Sequence, residues 1–260
     1  MKTVNFQYQT KLAFSSPASD HRFLLRILPQ SDERQRIKNI SWHISPQAVV
    51  WNSSDGFGNE ALSGCIEAPH NHFSFGINGT AEISSEPYTM RGKPECILSY
   101  PTELTKPQAN LIDFYKSLEC TAEKSTLQRV QFFGSAVHQH LHYERGITTN
   151  ATTAAEAFNI GTGVCQDYAH ILLTLLRLDG TPCRYVMGLA SDYGETHAWV
   201  EAWIADRYYG IDPTRNKLID EGYLALSHGR DFEDASVERG IFKGSCRGIQ
   251  TIILNMEIEQ

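Results

Sequence analysis

A change of period near residue 100 constrains this 260-residue chain more than any other feature. Before it, apolar residues alternate or come in short runs broken by turn signals; after it they recur at helical spacing. RFLLRIL (22–28) is a compact β-compatible run, and Ser41–Ile44 and Ala48–Trp51 are short runs separated by Pro46. Asp55-Gly56 and Gly58-Asn59 signal turns, and Phe73, Phe75 and Ile77 alternate with Ser74 and Gly76. Short strands with frequent turns predict a β-sandwich-like unit over 1–100. Pro94, Pro101 and Pro107 mark a linker over Arg91–Pro107.

From residue 108 to 260 the pattern predicts a second unit, so that the whole chain is α+β. Leu111, Ile112, Tyr115 and Leu118 place a helix over 108–118. Leu127, Val130, Phe133, Val137 and Leu141 form one stripe of a second helix. A third runs from Cys165 to Leu178, with Tyr168, Ala169, Leu172, Leu173 and Leu176 as its buried stripe and Gly180 and Pro182 beyond its end. Strands are predicted over 184–189, 196–204 and 208–211, and 249–256 reads as a closing strand that returns to a sheet.

Composition narrows the function. The formal charge of −7, without a basic run, argues against a nucleic-acid binder. No apolar run nears the ~18 residues of a membrane span, and the opening MKTVNFQYQTKLAF lacks the apolar core of a secretion signal. The six cysteines form no C-x-x-C pair, so reduced thiols in a cytoplasm are expected.

Cys165 lies in the first turn of its helix, where unpaired N–H groups and a partial positive charge favour a thiolate and could receive an oxyanion beside it. Gly161 and Gly163 would let a substrate backbone approach. Asp167, in the same turn, reads as a structural hydrogen-bonding residue. Taken alone, Cys165 reads first as a small buried hydrophobe, as most free cysteines are. The strand over 196–204 adds weight, because it sets His197, Trp199, Glu201 and Trp203 on one face. With a two-residue turn at Asp206-Arg207, Ala205 would pair with Tyr208 and Asp212 would lie opposite Trp199, one diagonal step from His197. A three-residue turn would put Asp212 on the other face unless a bulge restored it. Pro213 stops the strand. Cysteine, histidine and carboxylate in this order make a thiol-based acyl-transfer triad; the alternative is a core histidine with an unrelated aspartate.

G-T-G-V-C-Q-D-Y-A-H at 161–170, G-T-P-C-R-Y-V-M-G at 180–188, H-A-W-V-E-A-W at 197–203 and G-I-D-P-T at 210–214 together resemble the bacterial transglutaminase-like superfamily, often described as transglutaminase-like cysteine proteases. G-R-D-F-E-D-A-S-V-E-R-G at 229–240 looks like that family's C-terminal block, and D-G-F-G-N at 55–59 resembles the β-rich domain that often precedes the catalytic unit. The resemblance implies a papain-like core with Cys165 as nucleophile, His197 as general base and Asp212 as the orienting carboxylate. It implies a protein or peptide substrate and acyl transfer through a thioester. Hydrolysis is favoured over cross-linking, because water is always available and nothing identifies a dedicated amine site; the rival is a catalytically silent binding module. Cys183 replaces a usual alanine, Tyr208 a usual tryptophan, and Ser236 and Val237 two usual prolines.

Other candidates carry less. His138 and His142 share a helix face at zinc-compatible spacing, but no further ligands follow, so no metal and no cofactor is expected. His70 and His72 are read as loop residues, and His170 lies off the face of Cys165. Trp199 and Trp203 either line an acyl pocket or pack under the helices. Tyr143 is a candidate oxyanion donor.

Overall fold

The computed structural model describes residues 1–89, 95–120, 124–191 and 194–259. The chain begins with one very long strand, β1 (Lys2–Leu25), followed by β2 (Gln35–Ser45), β3 (Val49–Ser54), β4 (Glu60–Ile66), β5 (His70–Ile83) and the short β6 (Tyr88–Thr89). Next come α1 (Ala109–Ser117), α2 (Thr126–His140), β7 (His142–Tyr143), α3 (Ala154–Ile160), β8 (Thr162–Gly163) and α4 (Cys165–Leu178). The remainder is β9 (Cys183–Ala190), β10 (His197–Ile204), β11 (Arg207–Asp212), β12 (Lys217–Leu218), β13 (Tyr223–Gly229), α5 (Phe232–Ala235), β14 (Glu238–Lys243) and β15 (Gly248–Ile258).

Two sheets carry the fold. The first has seven strands, and β1 belongs to both of its halves. Residues 4–14 of β1 lie between β5 and β15, whereas 21–25 lie between β4 and β14, with an irregularity in the pairing to β5 between Ala13 and Ala18. The N-terminal unit is thus built of strands, as expected, and the long β1 is shared by both halves of its sheet. Phe6, Tyr8, Phe23, Phe73 and Phe75 fill its interior, at the period of two that a half-buried strand requires. The returning β14 and β15 mean that the second expected unit, 108–260, gives its last two strands to the sheet of the first.

The second sheet, in the order β12-β11-β10-β9-β13 with β6 added to β11, is antiparallel. Helix α4 packs on the Ala198, Val200 and Ala202 face of β10, and all of Gln166–Leu176 is buried. The sequence stripe described only one side of this helix. α1, α2 and α3 enclose the rest, and its polar residues find partners inside: Thr174 donates to the Thr105 carbonyl and Gln166 to that of Asn150. Leu172, Leu173, Leu175 and Leu176 are wholly enclosed, each contributing about 1.5–3 kcal/mol relative to exposure.

The two sheets are stitched together by polar contacts. Asp55, in the D-G-F-G-N turn, accepts from Arg26 Nε at 2.7 Å and Asn59 Nδ2 at 3.0 Å, and Asn59 also bonds the backbone of His228 on β13. Arg34 donates to the Tyr223 carbonyl at 2.9 Å and to that of Asp220. Of the expected linker, 91–94 lie outside the described residues. Of its described residues Leu98, Leu104 and Thr105 are buried while Ile97 and Tyr100 are exposed, and Arg177 Nη1 donates to Thr105 Oγ1 at 2.6 Å. Among the described residues no helix is long and apolar enough to cross a membrane.

Candidate active site

Cys165 opens α4 after an extended Val164, and its side chain is half-buried. Asp167 holds this entry in place. Its Oδ2 accepts from the Val164 amide at 2.8 Å and from the Thr148 hydroxyl at 2.7 Å. Burial pushes its carboxyl above the usual range despite those bonds. The structural role expected for Asp167 is what these contacts show. The two glycines before it serve the chain itself: Gly161, at φ 73°, is the left-handed cap of α3, and a side chain on Gly163 would stand 2.5 Å from Asp167 Oδ2.

His197 begins β10, and Asp212 ends β11. The turn between these strands is Ala205-Asp206, both at positive φ (47° and 66°), with Ile204 paired to Arg207. This corrects the expected Asp206-Arg207 turn and the pairing of Ala205 with Tyr208; that pairing sets Asp212 opposite Glu201, not opposite the expected Trp199. The observed register shifts the pairing by two residues, so parity is kept and Asp212 comes level with Trp199 on the His197 face. The diagonal step then closes: His197 Nε2 lies 2.7 Å from Asp212 Oδ2, with both side chains wholly buried.

The imidazole also feels Cys165, which acts with Asp212 to favour the charged ring. With Nε2 committed to Asp212, Nδ1 is the nitrogen left for sulfur. Burial pushes the imidazole down, but the bond to Asp212 and the nearness of Cys165 outweigh it and raise His197 to about 9. The structure thus brings all three expected site residues together, with only the sulfur end partly open to solvent.

Asp212 is itself held at every oxygen. Oδ1 accepts from the amides of Thr214 and Arg215 at 2.9 and 3.2 Å; Oδ2 accepts from His197 and from the Tyr223 hydroxyl at 2.7 Å. Burial pushes the carboxyl up, yet His197, Tyr223 and the backbone donors together hold it below the usual range. Tyr223 was not singled out from the sequence; it lies on β13, outside the motifs around the triad, and only the sheet order β10-β9-β13 brings it near. Its phenol is pushed above its usual range, first by burial and then by Asp212.

Trp199 takes neither expected role. It packs with Val186, Ala190, Ile219 and Tyr223 on the sheet face away from α4, edge-on to the Tyr223 ring at 5.4 Å. Trp203 stands edge-on to Tyr208, whose ring lies under the Arg184 guanidinium at 4.0 Å. His138 Nδ1 donates to the Thr214 carbonyl at 3.1 Å, and His140 Nε2 donates to that of Phe158 at 2.8 Å. His70 belongs to β5 rather than to a loop and contacts His21 at 3.2 Å. His170 is buried, lowered to about 3 first by burial and then by Arg177, and accepts from the Phe232 amide at 3.2 Å. Tyr143, on β7, pairs with Gly163, two residues before Cys165.

Residues 116–213 match the Transglutaminase-like superfamily, and residues 4–82 match the Bacterial transglutaminase-like N-terminal region. Uncharacterized protein ML0607 of Mycobacterium leprae is 27% identical over 96% of this chain and 96% of its own length. Uncharacterized protein Rv2569c of Mycobacterium tuberculosis is 25% identical over 83% of this chain and 79% of its own. The crystal structure of a "Putative Cysteine Protease from Cytophaga hutchinsonii" shares the fold with a TM-score of 0.80 at 19% identity, covering 100% of this chain and 92% of that one. Residues 116–213 are thus similar to the transglutaminase-like superfamily, and they follow a stretch similar to the bacterial transglutaminase-like N-terminal region.

Proposed function

We propose that this protein is a thiol-dependent acyl-transfer enzyme acting on amide bonds of proteins or peptides, with water as the acceptor. The observation that carries the reading is the buried imidazole of His197, hydrogen-bonded to Asp212 at 2.7 Å and raised to about 9 by Asp212 together with Cys165. The core is read as papain-like: a cysteine at the start of a helix, packed on an antiparallel sheet that supplies the histidine and the carboxylate.

In the first step the sulfur of Cys165 attacks the amide carbonyl carbon, and the free amide N–H groups at the start of α4 receive the oxyanion. The C–N bond breaks, His197 gives its proton to the departing nitrogen, and a thioester remains. Water then loses a proton to His197 and attacks the thioester carbon. The C–S bond breaks, the acid leaves, and the sulfur anion and imidazolium are restored. Asp212 holds the ring in orientation throughout and stabilises its charged form.

Iodoacetamide at mildly acidic pH tests the nucleophile. Cys165 is expected to alkylate ahead of the other five cysteines, and His197→Ala to abolish that lead. Equal labelling of all six would favour a silent module. Mass spectrometry of a glutamine-containing protein, incubated with and without a primary amine, then separates the acceptors. Backbone cleavage or deamidation supports hydrolysis, whereas amine adducts show cross-linking.

A further inference from the structure

A cavity of about 370 Å³ lies where the returning strands β14 and β15 meet the second sheet. Its walls come from Tyr8, Phe14 and His21 on β1, Glu238 and Phe242 on β14, and Gln250 on β15. The far side is closed by Met187, Thr196, Phe232 and Asn150. Two of these adjoin the triad. Thr196 directly precedes His197, and the Asn150 carbonyl accepts from Gln166, the residue after Cys165. The mechanism uses none of these lining residues.

The chemistry of the cavity is one-sided. Glu238 is its acid, and no lysine or arginine is among the described residues that line it. One carboxylate oxygen of Glu238 accepts from Gln250 Nε2 at 2.9 Å; the other has no hydrogen-bond partner among the described residues. His21 adds an acceptor rather than a charge, because burial and the neighbouring His70 lower it to about 4. Phe14 and Phe242, with ring centroids 5.0 Å apart, present π faces that attract cations. Leu12, Met187 and Ile252 offer apolar wall for an aliphatic stem. Burial, opposed by the Gln250 bond, raises the empty Glu238 to about 7, so a cation arriving there would meet a carboxyl without a counter-ion.

We propose that this cavity receives a lysine or arginine side chain of the substrate, paired with Glu238, beside the amide that Cys165 attacks. The inference rests on the acyl-transfer reading. It also gives the C-terminal strands a function: by returning to β1 they carry the carboxylate to the mouth of the site.

Peptidyl chloromethyl ketones that differ only in the residue next to the ketone, lysyl, arginyl or norleucyl, test it, because the sulfur displaces chloride and the labelled residue is read by mass spectrometry. Wild type should label at Cys165 at least tenfold faster with the basic reagents than with the norleucyl one. In Glu238→Gln that ratio should fall to near one. In wild type, n-butylammonium should slow the lysyl reagent and n-butanol should not, a comparison that needs no variant. Labelling at Cys165 without basic preference, or without competition by the amine, overturns the pocket and leaves acyl transfer standing. No selective labelling of Cys165 by any reagent overturns both.

Discussion

Tyr223 donates its phenolic proton to the same Asp212 oxygen, at the same 2.7 Å, that contacts His197. The strand β13 therefore reaches the triad from two strands away and fixes the carboxylate that fixes the ring. A bond of this kind to a charged acceptor contributes about 1.5–3 kcal/mol. Tyr223→Phe is expected to lower kcat about tenfold or more with KM close to wild type, and to lower the melting temperature by several degrees. A fall in KM-linked binding without loss of kcat would remove Tyr223 from its positioning role.

The ion pair at His197 has a pH signature. Its ordinary value is 6.5 and its folded value about 9, so its contribution to stability is complete below 6.5 and is lost as pH rises through about 9. The stability difference between wild type and His197→Gln, measured by denaturant unfolding, should shrink steadily between pH 6.5 and 9.5. A difference that stays level across that window would show that the ring is neutral in the folded protein.

Gly163 is a steric requirement. The side chain of Gly163→Ala would collide with Asp167 Oδ2 at 2.5 Å, 2.8 Å from the Asp167 Cβ. Overpacking of this kind costs about 1–3 kcal/mol. Combining it with Asp167→Ala should cost less than the sum of the two single changes, because the collisions with the carboxylate are then gone and only the 2.8 Å approach to Cβ remains. A double-mutant cycle in urea reads the coupling; additive losses would contradict the contact.

The β10–β11 turn is built from residues poorly suited to it. Ala205 and Asp206 both sit at positive φ, which costs an L-residue other than glycine or asparagine roughly 1–2 kcal/mol. Replacing them by Asn-Gly should raise the unfolding free energy by about 1 kcal/mol without moving Asp212. A lower melting temperature would show that Asp206 has a role in the turn beyond its backbone.

Much of the site was legible because its pieces are local. The Cys165 helix follows from apolar spacing and its glycine and proline stop, and the shared face of His197 and Asp212 follows from period two. The turn position was misread because Asp-Arg and Ala-Asp are both unfavoured two-residue turns, so local propensity does not choose between them. The register is chosen by burial: Val200 and Ile211, paired in it, both enter the core. Helix α3 was missed although Thr153 and Glu156 form a capping box at its start. The span Ala154–Ile160 is too short to show a stripe.

The sequence alone determined the local conformations and the family resemblance: a cysteine at a helix start, a histidine and an aspartate on two arms of one hairpin. Tertiary structure decided what surrounds them. Tyr223, the wholly buried α4, the return of β14 and β15 to β1, and the Glu238 cavity all depend on strands brought together from distant parts of the chain. Such pairings are set by which apolar faces can be buried at once, a property of the whole chain that no local window contains.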